Sequence, residues 1–214
     1  MNNFETLLFD LDGTLIDSTR DLTTSINLLR RESGLSPLEQ TTVAGYIGDG
    51  SALLVRRSLP PGRYSEAHLE RFLDIYSKHL TDTTAPYPGI FSLLDACLGK
   101  AMAVVTNKPL KPTLILLDRL NLRCYFPVII GGDSTSAKKP APDPVAEALV
   151  KLGRDARSAI MIGDHANDLL AGRAAGVSTC FCGWGTGDHR GEMRDLEAAT
   201  PRELQALLLD PAST

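Results

Sequence analysis

The stretch LLFDLDGTLID, residues 7–17, places three aspartates within eight positions directly after an apolar run. The apolar residues predict a short buried strand over residues 5–10, ending at Asp10. Neighbouring carboxylates repel one another, and a buried carboxylate is costly unless a cation meets it. Because Asp10 and Asp12 are two residues apart, an extended chain points both side chains to the same side. The stretch therefore predicts a strand end at which a cation holds acidic side chains together.

The composition is that of a globular chain with room for one sizeable core, or for a core and a small insert. It has 214 residues, of which 43% are hydrophobic and 22% charged, and its net charge is −4. This mildly acidic balance gives no general attraction to nucleic acid or anionic lipid. No apolar run approaches the roughly 18 residues of a membrane helix. The segment MNNFETLLFD lacks the basic and long apolar parts of a secretory signal. We expect a cytoplasmic protein with no nucleic-acid or membrane partner.

The four cysteines, Cys97, Cys124, Cys180 and Cys182, lack the spacing of a metal finger. Cys180 and Cys182 would share one face of a strand because they are two residues apart. We expect buried, reduced thiols rather than a metal or redox pair.

Strand and helix patterns alternate along most of the chain. Further continuous apolar runs predict strands over residues 100–106, 126–132, 158–164 and 177–182. Helical patterns lie beside them at residues 89–98, 109–120, 142–152 and 166–175. Continuous apolar strands are typical of a parallel sheet with helices on both faces. The alternation predicts an α/β fold with a doubly wound, mainly parallel sheet, a Rossmann-like core.

Residues 18–83 break this alternation. The segments TTSINLLRRESG, GSALLVRRSL and SEAHLERFLDIYSKHL each combine spaced apolar residues with a charged face, which is typical of surface helices. We therefore predict a small α-helical domain at residues 18–83, inserted after the first strand. Residues 1–17 and 84–214 would form the α/β core.

The residues that follow the predicted strands could form one site, because ligands of open α/β sheets bind beyond the carboxyl ends of the strands. These residues are Asp10 and Asp12; Thr106, Asn107 and Lys108; Lys138 and Lys139; and Asp164 and Asp168. A divalent cation, most naturally Mg²⁺, would relieve the repulsion among the carboxylates. The hydroxyl, amide and ammonium groups suit a tetrahedral anion such as phosphate. Singly, each group has an ordinary explanation as a helix cap, a loop residue or a solvated turn; their conjunction favours a site.

Four motifs resemble those of the haloacid dehalogenase-like phosphohydrolases, in the same order. They are FDLDGTLID, VVTNK, KKPAPDP and IMIGDHANDLLAGRAAG. The helical insert is similar to the small cap of that superfamily. GYIGDGSALLVRRSL, PYPGI and GGDS further resemble segments of its bacterial phosphoglycolate phosphatases. The resemblance implies a Mg²⁺-dependent phosphatase that forms an aspartyl-phosphate and acts on a small phosphorylated metabolite, with 2-phosphoglycolate the best single choice.

The resemblance also implies roles for individual residues. Asp10 would be the nucleophile, and Asp12 the general acid and then the general base. Thr106, Asn107 and Lys139 would bind the phosphate, with Lys139 also neutralising the nucleophile. The metal site would consist of Asp10, the carbonyl of Asp12, Asp164 and, in support, Asp168.

The cap would have to read the remainder of the substrate. A two-carbon acid needs a cation or backbone N–H groups, and Arg56 or Arg57 could supply the cation. Gly48 and Gly50 could let backbone N–H groups approach an anion. His165 stands where relatives often have serine; it could ligate, titrate or point to solvent, and we expect it to point to solvent.

Other functions remain open on the sequence. A phosphomutase, a pyrophosphatase, or a phosphatase of a sugar or amino-sugar phosphate would use the same core. A phospho-accepting regulatory domain also uses an aspartate, a hydroxyl group and a lysine around Mg²⁺, but needs neither Asp12 nor a cap. A non-catalytic phosphate-binding member is a third alternative. A monomer and a homodimer are equally compatible with the sequence.

Overall fold

A parallel sheet forms the centre of the protein, in a computed structural model that describes residues 4–209. The strands in chain order are β1 (Thr6–Phe9), β2 (Ile16–Asp17), β3 (Ala85–Pro86), β4 (Ala101–Val105), β5 (Val128–Ile130), β6 (Ala159–Gly163), β7 (Ser178–Cys182) and β8 (Leu196–Ala198). Six of them form the sheet, in the order β5-β4-β1-β6-β7-β8, and all neighbours are parallel. Strand β1 lies inside this sheet between β4 and β6, so the chain leaves it at Asp10 with a strand on either side.

Helices cover both faces of the sheet. They are α1 (Thr19–Glu32), α2 (Gln40–Ala44), α3 (Ser51–Arg57), α4 (Glu66–Lys78), α5 (Ile90–Ala96), α6 (Leu110–Arg119), α7 (Asp143–Leu152), α8 (Ala166–Ala174) and α9 (Pro201–Leu209). Alternate residues of β1 enter different apolar clusters: Leu8 packs with residues of α7 and α8, and Leu7 and Phe9 pack with α5, α6 and α9. The side chains of this buried strand thus pack against helices on both faces of a parallel sheet. This arrangement confirms the predicted doubly wound α/β fold.

The predicted core elements are all present and slightly shorter than the apolar runs suggested. The sequence did not indicate the short strands β2, β3 and β8, or helix α9. Strand β8 is three residues at a sheet edge with one exposed side chain, so it has no continuous apolar run. Of the cysteines, Cys97, Cys180 and Cys182 are buried and free as predicted, but Cys124 is exposed. No helix among residues 4–209 is long and apolar enough to cross a bilayer.

Residues 18–83, all described by the structure, contain helices α1 to α4 and no strand. We call this segment the cap. Its division from the core as a separate domain with these limits stays a prediction. Its two connections to the sheet are joined by Asp21, whose carboxylate accepts hydrogen bonds from the backbone N–H groups and hydroxyls of Thr83 and Thr84. Strands β2 and β3 pair beside this point. The cap is therefore anchored to the core at a narrow two-stranded neck.

Candidate active site

A cavity lies between the sheet rim and the cap. Its core face consists of Asp10, Asp12, Thr106, Asn107 and Lys108, which follow β1 and β4. Its cap face consists of Leu22, Ile47, Gly48, Gly50, Ser51 and Leu54. The empty volume, which includes open solvent at the mouth, is about 380 Å³. The site therefore suits a small substrate that meets charged groups on one side and mostly uncharged ones on the other.

Lys139 joins two carboxylates beneath this cavity. Its Nζ atom lies 2.9 Å from Asp10 Oδ1 and 2.5 Å from Asp168 Oδ1, and it also donates to the carbonyl of Val105 at 2.5 Å. Burial lowers the pKa of Lys139, but the charges of Asp10 and Asp168 raise it by more, so the amine stays charged. All three hydrogens of its ammonium group have acceptors. Lys139 is thus fixed against the predicted nucleophile.

Asp10, Asp164 and Asp168 form a buried acidic cluster, in which one oxygen of each lies within 4.8 Å of the others. Burial raises the pKa of Asp10 to about 6, although Lys139 opposes the shift. Burial, and then the charges of Asp10 and Asp168, raise the pKa of Asp164 well above its usual range. Such shifts indicate that the protein's own groups do not balance the fully ionised cluster. Carboxylate oxygens are the ligands that hard divalent cations prefer, and a divalent cation would supply the missing positive charge.

Both carboxylate oxygens of Asp168 are held by hydrogen bonds from other residues. One of its oxygens accepts from Lys139, and the other accepts from the backbone N–H of His165 at 3.0 Å. Asp164 is instead enclosed by backbone: Gly187 donates an N–H to its Oδ2 at 2.8 Å. A Cβ at Gly13, where φ is +87°, would lie 2.1 Å from the same oxygen. Asp10 and Asp164 are therefore the carboxylates best placed as direct ligands.

Lys108 forms a second lysine–carboxylate pair on the side of the cavity nearer the cap. Its Nζ lies 2.9 Å from both oxygens of Asp12 and 4.7 Å from the ring centroid of Tyr76, on α4. Ser18, at the start of the cap, donates its hydroxyl to Asp12 Oδ1 at 2.5 Å. The sequence placed Lys108 at a strand end, but no spacing indicated which carboxylate it would meet. The pair holds Asp12 at the boundary between core and cap.

Thr106 and Asn107 lie on the core face as predicted. Thr106 Oγ1 accepts the backbone N–H of Lys108 at 3.2 Å, which leaves its own hydrogen free to donate. The Asn107 side-chain amide instead donates to the carbonyls of Gly48 and Lys139, at 2.9 and 2.8 Å. Both of its hydrogens are used, so this amide connects the core to the cap and is not free to bind phosphate in this arrangement.

Of the cap residues suggested by sequence, Gly48 lies at the cavity and Arg56 does not. Arg56 is exposed, and its guanidinium carbon lies 4.8 Å from the ring centroid of Tyr64. Arg57 forms an ion pair with Asp49. The idea that Arg56 binds substrate finds no support in this geometry, because aromatic stacking holds it on the outer surface of the cap.

The prediction that His165 points to solvent is wrong. Only 6% of the residue is exposed, and its Nδ1 accepts the N–H of Asn167 at 3.2 Å at the start of α8. A Cβ on Gly48 would lie 2.9 Å from the imidazole, so the cap loop rests on this ring. Burial lowers the pKa of His165 and favours the neutral form. Sequence periodicity could not reveal that a loop of the cap covers this position.

The chain belongs to the haloacid dehalogenase-like hydrolase family, whose sequence profile matches residues 7–182. The resemblance in the motifs is thereby confirmed. Within this family the protein is a phosphoric monoester hydrolase. It is 36% identical to a phosphoglycolate phosphatase of Chromobacterium violaceum, over 97% of this chain and 98% of the relative. It is also 36% identical to that of Aquifex aeolicus, over 94% and 95%.

Solved structures share the fold of this chain. The crystal structure of a predicted phosphoglycolate phosphatase from Haemophilus somnus 129PT matches with a TM-score of 0.87 and 26% identity. The match covers 97% of this chain and 99% of that one. A putative phosphoglycolate phosphatase from Lactobacillus delbrueckii has the same fold, with a TM-score of 0.85 at 24% identity over 97% and 99% of the two chains.

Proposed function

We propose that the protein is a Mg²⁺-dependent phosphatase that hydrolyses 2-phosphoglycolate to glycolate and phosphate through an aspartyl-phosphate. The observation that carries the proposal is the presence of two carboxylates, Asp10 and Asp12, each paired with its own lysine at one small cavity. Two adjacent carboxylates held separately can do separate work, one as nucleophile and one as acid and base. The names of the relatives support the choice of substrate.

In the first step, a carboxylate oxygen of Asp10 attacks phosphorus and the bond from phosphorus to the ester oxygen breaks. Asp12, which has to take up a proton from solvent in the substrate complex, gives this proton to that oxygen, so glycolate leaves with a neutral hydroxyl group and Asp10 carries the phosphoryl group. Lys139 and the free hydroxyl hydrogen of Thr106 stabilise the negative charge on the phosphoryl oxygens.

In the second step, water attacks the phosphorus of the aspartyl-phosphate. Asp12, now a carboxylate, takes a proton from this water, and the bond from phosphorus to Asp10 breaks. Phosphate leaves, and Asp10 and Asp12 return to their starting states. The same residue thus acts first as acid and then as base, which requires it to stay near both oxygens.

The carboxylates of Asp10 and Asp164, with the backbone carbonyl of Asp12, would hold Mg²⁺, and Asp168 would orient Lys139. The ion would balance the acidic cluster and neutralise charge on the transferring phosphoryl group. Asp10 and Asp164 fit this role because burial and neighbouring carboxylates raise the pKa of each and so disfavour the ionised forms without a cation. We further propose a cytoplasmic enzyme that is a monomer or a homodimer.

A panel of phosphate esters with Mg²⁺ tests this proposal. We expect the highest kcat/KM for 2-phosphoglycolate, with lower values for glucose 6-phosphate, glucosamine 6-phosphate and pyrophosphate. Asp10→Asn, which keeps the shape of the side chain, should abolish turnover. Turnover of no ester, or full turnover by the Asn variant, would contradict the mechanism; a better sugar phosphate would contradict only the substrate.

A further inference from the structure

The cap face offers no charged side chain to a substrate. Its members are apolar side chains, two glycines and one serine. The nearby cap arginines are engaged elsewhere, Arg56 with Tyr64 and Arg57 with Asp49. A carboxylate that enters this cavity must therefore find its positive charge on the core side, because an unpaired buried carboxylate is strongly disfavoured.

Lys108 is the lysine that lines the cavity itself. Its side chain is only 5% exposed. Burial lowers its pKa, but the Asp12 carboxylate raises it by more, so the ammonium stays charged. Among residues 4–209, Lys108 donates to both oxygens of Asp12, and the neighbouring Tyr76 side chain also raises the pKa of the ammonium group. Asp12 occupies two of the three ammonium hydrogens, so a bound anion could take the third, on the side of Tyr76.

The chemistry also fixes where the remote part of the substrate must lie. The ester oxygen has to meet Asp12 in order to receive its proton. The carboxylate of phosphoglycolate is separated from that oxygen by one methylene group. The ammonium group nearest this position is that of Lys108, which contacts both oxygens of Asp12.

We propose that Lys108 determines substrate specificity by binding a carboxylate carried next to the scissile ester. The enzyme would then select small phosphate esters that carry a second negatively charged group. This inference rests on the proposed function, since it assigns the residue that reads the non-reacting end of the substrate. Tyr76 of the cap lies against the same ammonium group and would close over the bound carboxylate. Lys108 would thereby bind the substrate from the core and contact the cap at the same time.

Two esters of matched size separate charge recognition from general damage: 2-phosphoglycolate and 2-hydroxyethyl phosphate, in which a hydroxymethyl group replaces the carboxylate. The ratio of their kcat/KM values is the measured quantity. We expect Lys108→Met to lower this ratio about 10- to 100-fold, as expected for loss of a charge-assisted hydrogen bond. Lys108→Arg should keep most of the ratio because it keeps the charge, and Lys108→Gln provides a second neutral variant if Met impairs folding.

Lys138 provides the matched control, because it is an exposed lysine whose Nζ also approaches the cap loop near Gly50. Lys138→Met should leave the ratio unchanged. If the Lys108 variants slow both esters by the same factor, Lys108 only positions Asp12 and the inference is wrong. A fall in the ratio for Lys138→Met instead of Lys108→Met would likewise overturn it.

Failure of the proposed function gives a different result. If the unaltered enzyme does not hydrolyse 2-phosphoglycolate, that function fails. Calorimetric Kd values of the two esters for the Asp10→Asn protein then decide the inference. Tighter binding of the acidic ester that is lost on adding Lys108→Met supports it, and equal binding of both esters contradicts it.

Discussion

The two faces of the cavity differ in charge: the core face is charged and the cap face is not. The core face comes from residues directly after central strands, and its charges are buried and bonded to one another, as in the contacts of Lys139 with Asp10 and Asp168. The cap face comes from short helices and a loop, and it contributes apolar side chains and backbone. A rigid charged face suits the phosphoryl group, which is the same in every substrate. A neutral face can exclude water and limit the size of the substrate.

The largest effect should follow from breaking the core face at Lys139. Lys139→Met leaves Asp10 and Asp168 buried without their shared cation. We expect kcat to fall at least about 1,000-fold, since the nucleophile and phosphate lose their positive partner. The free energy of unfolding of the metal-free protein should fall by about 3–5 kcal/mol. Steady-state kinetics and urea unfolding measure both. A Lys151→Met control removes an exposed ion pair with Glu147 and should change neither appreciably.

A glycine tests how closely the backbone must approach the acidic cluster. At Gly13 φ is +87°, and an added Cβ would overlap a carboxylate oxygen of Asp164 at 2.1 Å. Gly13→Ala should lower kcat/KM about 100-fold or more by displacing Asp164. Gly34→Ala is the matched control, because Gly34 also has a positive φ of +71° but no atom near its Cβ position. It should cost about 1 kcal/mol of stability and no activity. Equal kinetic effects would show that backbone strain alone was measured.

The pH dependence of stability should have opposite signs on the two sides of the cavity. Burial raises the pKa of Asp10 from 3.8 to about 6 in the metal-free protein. The folded state then binds the proton more tightly than the unfolded chain. This contribution to stability is present below pH 4 and lost as pH rises through 6, a change of about 2–3 kcal/mol.

On the cap loop, burial also raises the pKa of Asp49, but hydrogen bonds from Asn167 and Arg57 lower it by more. Its contribution is therefore present at neutral pH and lost as pH falls below the pKa of the unfolded chain. The free energy of unfolding in urea, measured with a chelator at several pH values, should be compared between the wild type and each of the variants Asp10→Asn and Asp49→Asn. The difference isolates the pH dependence that each carboxyl group contributes. Differences of the same sign would contradict the assignment, and added Mg²⁺ should cancel the Asp10 slope by displacing its proton.

Asn167 connects the two faces and should have a moderate effect. Its amide donates to Asp49 Oδ1 at 2.7 Å and to the Gly48 carbonyl at 3.3 Å. Asn167→Ala should weaken closure of the cap loop and lower kcat/KM about 3- to 10-fold, the value of roughly one hydrogen bond. In the control Asn27→Ala, the lost bonds to Leu38 lie within the cap. That variant should lose stability and keep its kinetics; a matching kinetic loss would mean that general cap stability is limiting.

The sequence predicted the core face well because topology brings its residues together. In a parallel sheet, residues that follow neighbouring strands meet at one edge whatever the loops between them do. Strand ends alone therefore predicted that Asp10, Thr106 and Asp164 meet, and the family resemblance chose Lys139 over the adjacent lysine. The cap followed no such rule. Its helical content was readable from periodicity, but not its orientation, so the contact of Tyr76 with Lys108 and the burial of His165 under Gly48 were not predicted.

Arg56 gives the smallest expected effect and the sharpest check on how the cap reads its substrate. A basic residue near the site in sequence looked suited to a carboxylate, yet its guanidinium stacks on Tyr64 on an exposed surface. Arg56→Ala should change kcat/KM for 2-phosphoglycolate by less than about twofold, and lower stability by at most about 1 kcal/mol. Lys108→Met, measured in parallel, should lower the same kcat/KM far more. If Arg56→Ala instead caused the larger loss, the cap would have to turn during catalysis to bring this arginine inward, and the cap face would be charged when it acts.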